Sequence, residues 1–209
     1  LRLRRGHLSL DDAALTLFQQ AHKIVQFDDQ TQISIQDGIG LSVNLTPQSD
    51  TELIGWRARK HAGLIDVDLV GGQPAARFWE AVTLCDLTKG GLVLNPDEFY
   101  ILASREFVTV PPDYAAEMRA YDTRVGEFRA HYAGFFDPGF GGNANGALPT
   151  RAVLEVRSHD VPFLIEQGQT VCRLVYEPMA AAPNYLYGAE GSGSNYQSQG
   201  LKLAKHFHT

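Results

Sequence analysis

Cysteine is scarce in this chain: Cys85 and Cys172 are the whole complement of its 209 residues, and no Cys-x-x-Cys pair occurs. That argues against a disulfide framework and against a cysteine-based zinc site, and makes the cytoplasm the expected setting. Long apolar runs are missing too, so nothing in the chain approaches the roughly 20 apolar residues of a membrane span. The basic start Leu1-Arg2-Leu3-Arg4-Arg5-Gly6 lacks the apolar stretch of a secretion signal. Positive charge is also in deficit. Eighteen Lys and Arg face 24 Asp and Glu, and the net charge of -6 argues against a duplex nucleic-acid binder. A small phosphorylated ligand stays open, because a few local cations suffice to hold it.

Several catalytic signatures are absent as well. The seven histidines, at 7, 22, 61, 131, 159, 206 and 208, form no His-x-x-x-His pair and have no neighbouring cysteine, which leaves metal catalysis without support. The glycine-rich stretch 141–146 lacks both the Gly-Lys-Ser/Thr ending of a P-loop and the Gly-x-Gly-x-x-Gly of a dinucleotide fold. No Gly-x-Ser-x-Gly elbow points to a serine hydrolase, and no fixed-period repeat points to a solenoid.

What is present fits one β-rich domain. A hydrophobic content of 44% over this length supports a single good core. Ser9, followed by Asp11 and Asp12 and then Ala13, Ala14, Leu15, Leu17 and Phe18, predicts a capped helix with acids in its first turn, ending near His22. Ile33–Ile35, the Asp37-Gly38 turn and Leu41–Leu45 read as strand, turn, strand, and Pro74–Trp79 as a short helical turn. Ile65–Val70 alternates like an exposed strand. Further strands are expected at Leu92–Leu94, Phe99–Ala103, Phe107–Val110, Arg129–Ala133, Ala152–Val156, Val161–Ile165 and Thr170–Glu177, with a helical turn at Asp113–Met118. Turn chemistry at intervals of about ten residues favours an all-β sandwich or barrel with short helices. Residues 141–146 and 188–193 read as flexible loops. The tail Leu201–His208 is either a solvated terminus or a lid that brings cations to a phosphate.

One carboxylate stands out. Glu155 lies within Ala152-Val153-Leu154-Glu155-Val156, inside an apolar strand, where a carboxylate is destabilising unless paired, hydrogen-bonded or wanted for chemistry. It shares a sheet face with Val153 and alternates with Leu154 and Val156. The plain alternative is a half-exposed strand Glu paired with Arg151 or Arg157. Asp137-Pro138-Gly139 is first of all a turn signal. Ser194-Asn195-Tyr196-Gln197-Ser198-Gln199-Gly200 adds polar side chains near the end, and together these segments suggest a nucleotide site.

The order of five segments carries a resemblance. Leu92–Phe99, Glu106–Asp113, Asp137–Phe140, Val153–Glu155 and Asn195–Gln199 resemble, in order, segments of the dCTP deaminase family, which has the deoxyuridine triphosphatase-like β fold. The resemblance covers roughly residues 90–205, and is greater to the C-terminal half of the long, two-module members. It implies hydrolytic deamination of dCTP to dUTP and ammonia without a catalytic metal, with Mg²⁺ carried by the triphosphate. Glu155 would be general base and acid, its proton affinity raised by burial in the strand. Arg124 and the backbone of Ala133 would share the catalytic work, with Ala133 helping to hold the attacking water. Arg119, Arg124, Asp137, Val153, Tyr187, Asn195, Tyr196 and Gln199 would contact the nucleotide.

The chain departs from the family at Arg119-Ala120-Tyr121-Asp122-Thr123-Arg124-Val125-Gly126, where the family has Arg-Ser-Ser-x-x-Arg-x-Gly. Asn195 and Phe140 stand where Lys and Trp are usual. Family sites form between neighbouring subunits of a trimer, so the resemblance implies a homo-oligomer, either a trimer or a pseudo-trimer of modules, in which a neighbour supplies the missing serines. The expected organisation is residues 1–6 as the last strand of a preceding module, then a β domain over 7–209 whose tail is flexible from about 188. Two rivals stay open: a deoxyuridine triphosphatase that cleaves the phosphate chain, and a catalytically silent module that completes the assembly.

Overall fold

The computed structural model describes residues 8–27, 31–47, 52–120, 128–130, 134–142, 150–158, 160–189 and 200–208. Two α-helices occur among them, α1 (Asp12–His22) and α2 (Ala75–Phe78). The strands are β1 (Val25–Gln26), β2 (Ile39–Asn44), β3 (Leu53–Ala58), β4 (Gln73–Pro74), β5 (Trp79–Thr83), β6 (Leu87–Thr88), β7 (Gly91–Leu94) and β8 (Phe99–Val108). They continue with β9 (Tyr114–Ala120), β10 (Phe128–Ala130), β11 (Phe135–Phe136), β12 (Thr150–Ser158), β13 (Phe163–Glu166), β14 (Thr170–Pro178) and β15 (Phe207–His208).

The ten-residue β8 is the spine. One edge pairs antiparallel with β12; the other is shared by β1, β2 and β3 along its length. The sheet runs β10-β12-β8-β2-β14-β9-β11, and β2 turns the corner between its two halves. A small sheet β13-β7-β6 adds Leu92, Leu94 and Ile165 to the core. Helix α1 closes one side with Leu15 and Phe18, started by the Asp11 carboxylate accepting from Ala14 N–H at 2.8 Å and stopped by Lys23 at φ 49°. That side-chain acceptor satisfies one of the orphan N–H groups of the first turn.

The inner face of β12 is Ala152, Leu154 and Val156, all fully buried, and its outer face is Val153, Glu155 and Arg157. The first half of β8, Phe99–Ala103, is apolar on both faces because a second cluster covers its outer side. Ala75, Ile101 and Leu203 form the heart of that cluster, flanked by Trp56, Trp79, Phe99, Val153, Leu201 and Phe207.

Four local readings need correction. Asp113–Met118 is no helical turn: Tyr114–Ala120 pairs with β14 over seven residues, and that ladder outweighs the helix-friendly Ala-Ala-Glu-Met run. Ile65–Val70 is a string of turns, not a strand, since no neighbouring strand takes up its backbone. Ile33–Ile35 makes a single bridge, Ile35 to Ile39, across the Asp37-Gly38 turn. Residues 99–108 are one strand where two were expected, because Ser104 to Glu106 remain paired or bonded within the sheet. The segment Leu53–Ala58, unclear from its pattern, is a strand that bridges β5 and β8.

The C-terminal residues are docked, so a solvated terminus does not describe 201–208. Leu203 is buried, Gly71 N–H donates to the Lys205 carbonyl at 2.9 Å, and β15 pairs with β4 in parallel.

Candidate active site

Glu155 sits on the outer face of β12 and is exposed, not buried as its apolar surroundings in sequence suggested. Period-two alternation keeps Leu154 and Val156 in the core and turns Glu155 outward. The pairing alternative fails too. Arg151 donates to the Ser104 carbonyl at 3.1 Å and to the Arg105 carbonyl, with its guanidinium 4.2 Å from the centre of the Phe107 ring. Arg157 lies 5.5 Å from the centre of the Phe99 ring. Glu155 has no hydrogen-bond or ion-pair partner among the described residues. On its own face it has Val153 along the strand and Ile101 directly across in β8.

The buried carboxylate of this protein is Glu106, 2% exposed on the inner face of β8. Burial pushes its pKa above the ordinary range; two bonds from Ser42, its N–H at 2.8 Å and its Oγ at 2.6 Å, partly offset that. The same burial, reinforced by Glu106, raises the pKa of the neighbouring Cys172 thiol and leaves it an unreactive core residue. Glu106 belongs to a segment that carried the resemblance, yet its burial gave no sequence signal. A lone Glu between Arg105 and Phe107 on an alternating strand can face either way.

The Asp137 turn is built on glycine. Gly139 at φ 95° and Gly141 at φ 62° let the chain fold tightly against β8, where a Cβ on Gly141 would collide with the Val108 carbonyl. Val110 N–H donates to the Phe140 carbonyl at 2.8 Å and Gly139 N–H to the Val110 carbonyl at 2.9 Å. Tyr187 belongs to the same unit: its N–H donates to the Pro138 carbonyl at 2.8 Å and its ring packs on Phe140 at 5.4 Å. Asp137 and Tyr187 are thus brought together. The end of this turn meets β8 at Val108, which pairs with Thr150, five residues or roughly 17 Å along β12 from Glu155.

Arg119 is elsewhere. On β9 its guanidinium donates to Ser9 Oγ at 3.1 Å and lies 3.7 Å from Glu117 and 4.0 Å from Glu177. It lines an open cleft of about 490 Å³ beside the start of α1. Four strand spacings, roughly 19 Å along the sheet, separate β9 from β12. Arg124, Ala133, Asn195, Tyr196 and Gln199 lie outside the described residues. Within one chain the described candidates form three separate groups, at Glu155 with Val153, at Asp137 with Tyr187, and at Arg119. No cluster of three or more His, Cys, Asp or Glu able to hold a metal occurs among the described residues. No helix among the described residues is long and apolar enough to cross a membrane.

Comparison with known proteins decides the family. Residues 11–207 match the family model of the 2'-deoxycytidine 5'-triphosphate deaminase C-terminal domain. The chain belongs to that family. The solved deaminase of Agrobacterium tumefaciens is 45% identical and superposes with a TM-score of 0.74 over 86% of this chain and 50% of its own. The "dCTP deaminase, dUMP-forming" of Mycobacterium marinum is 30% identical over 129 residues, 60% of this chain and 64% of the relative. That of Methanobrevibacter smithii is 34% identical over 110 residues, 51% and 53% respectively. The chain therefore spans between half and two thirds of the length of these relatives. The expected deoxyuridine triphosphatase-like β fold holds, and with it the all-β class.

Proposed function

We propose that this protein acts in hydrolytic deamination of dCTP, with Glu155 as the proton-transfer group. The observation that carries the reading is a carboxylate presented outward from a nine-residue strand, without a hydrogen-bond or ion-pair partner among the described residues, in a member of the dCTP deaminase C-terminal-domain family. Glu155 takes a proton from the water that attacks C4 and delivers it to the ring or to the departing amine, so that dCTP and water give dUTP and ammonia. The substrate triphosphate enters with Mg²⁺, and chemistry at C4 needs no further metal.

The separation of Arg119 from Glu155 supports a site shared between neighbouring copies or modules, as in a trimer or pseudo-trimer. Outward-facing groups four strands apart on one curled sheet meet more readily across a subunit boundary than within a chain. Ala120 and Tyr121 replace two serines of the family pattern, so the neighbour would supply hydroxyl donors for the base and phosphates.

The names of the relatives favour a second product reading. Formation of dUMP requires a further hydrolysis, of dUTP by water to dUMP and pyrophosphate. One experiment separates the readings: incubation with dCTP and Mg²⁺ while ammonia and pyrophosphate are both followed. Ammonia alone supports dUTP as product, equal amounts of both support dUMP, and neither leaves a silent module that only completes an assembly.

A further inference from the structure

The row of residues that holds Glu155 also holds the anchor of the C-terminal tail. Glu155 pairs directly with Ile101, and Ile101 pairs directly with Trp56, so the three stand side by side on one face of β12, β8 and β3. At about 5 Å per step, the Trp56 and Glu155 Cα atoms are roughly 10 Å apart. The Trp56 indole N–H donates to the Leu201 carbonyl at 2.8 Å, and Leu203 lies in the apolar cluster with Ile101 and Val153. The tail thus runs alongside the carboxylate, on the face where the proposed chemistry takes place.

We infer that Trp56 is a positioning residue, whose hold on Leu201 seats the tail as one wall of the Glu155 site. This rests on the deaminase reading. The position asks for more than bulk, because an aliphatic side chain would cover Ile101 equally well but could not bind a backbone carbonyl. Nor is the bond needed to keep the far end of the tail in place. Lys205 and His206 are bonded to Gly71 and Gln73, and Phe207 packs on Phe78 at 5.5 Å and Trp79 at 5.9 Å. What the Trp56 bond adds is a fixed point at Leu201, nearest the carboxylate.

The test is Trp56→Phe, which keeps a ring over Ile101 and removes the donor. Losing one such bond should raise tryptic cleavage after exposed Lys202 about fivefold, leave cleavage after Lys205 nearly unchanged, and lower the melting temperature by only about 2–4 °C. In dCTP turnover KM should rise about fivefold with kcat changed less than twofold, whereas a purely structural loss would lower kcat through the active fraction and leave KM alone. Leu203→Ser should reproduce the KM effect and Leu203→Met should restore it, which keeps the inference testable should the Trp56 variant fold poorly. Unchanged KM in a variant with a loosened tail overturns the inference, as does unchanged cleavage after Lys202. Failure of the underlying reading looks different: the wild type would not release ammonia from dCTP, or Glu155→Gln would remain active, which removes the positioning role while the cleavage pattern still reports the bond.

Discussion

Glu106 and Glu155 stand on adjacent strands of one sheet, two residues before the C-terminal end of β8 in one case and mid-way along β12 in the other, and they face opposite ways. Glu106 is buried, held by two bonds from Ser42, and its protonation is shifted by desolvation. Glu155 is exposed and lacks a hydrogen-bond or ion-pair partner among the described residues. A perturbed carboxylate in a structure is often a functional candidate. Here the perturbed one is bonded inside the core, where no substrate reaches it, and Glu155 is the one offered to the surface. Access and an open hydrogen-bonding valence mark the group available for chemistry.

The sharpest way to break that contrast is Glu155→Gln. It should lower kcat for dCTP deamination about 10²–10⁴-fold, while the urea midpoint stays within the scatter of a surface change. A rate above half that of the wild type would return Glu155 to an ordinary surface residue. The adjacent inward position should show the reverse. Leu154→Ala removes a fully buried side chain and should destabilise by about 2–5 kcal/mol in denaturant titration, with turnover per folded molecule little changed.

Glu106 gives a smaller effect with a sign of its own. Glu106→Ala leaves the Ser42 N–H unpaired in the interior and should destabilise by about 1–3 kcal/mol. Its pKa is higher folded than unfolded, so the native state binds the proton more tightly. The contribution of Glu106 to stability is then full below the ordinary carboxylate range near pH 4.3 and declines as pH rises through the folded value. Glu106→Gln can still bond both Ser42 groups and cannot ionise. Urea midpoints of wild type and variant should therefore diverge in favour of the variant as pH is raised above that range; parallel curves would show that Glu106 is hydrated after all.

Arg157→Ala should have the least effect. Its contact with the Phe99 ring on the outer face is worth at most about 1 kcal/mol, and a large loss of activity there would point to a partner for Glu155 that the folded chain does not reveal.

Much of the local architecture was legible in the residues. Acids ahead of an apolar-periodic run marked α1, Asp137-Pro138-Gly139 marked its turn, and strict alternation placed Leu154 and Val156 opposite Glu155. The five ordered segments pointed to the family that the comparisons then showed. The strand at Tyr114–Ala120 was illegible because Ala115, Ala116, Glu117 and Met118 favour a helix in isolation, and only the ladder with β14 overrides that preference. The docking of the tail was illegible for a related reason. Leu201, Leu203 and Phe207 are too few to form a core, and they bury themselves only because Trp56, Ile101, Phe78 and Trp79 expose a complementary surface.

The sequence by itself determined the β class, the end of α1 near His22, the turn at Asp137 and the alternation that puts Glu155 on the face opposite Leu154. All of these depend on neighbours within a few residues, where backbone geometry and side-chain period act directly. Only the tertiary structure decided which carboxylate is buried, that Arg119 and Glu155 lie four strands apart, and that the tail is bound beside the proposed catalytic group. Alternation assigns side chains to two faces, but whether a face meets water or another element depends on strands and loops distant in sequence, and burial, pairing and access follow from that contact alone.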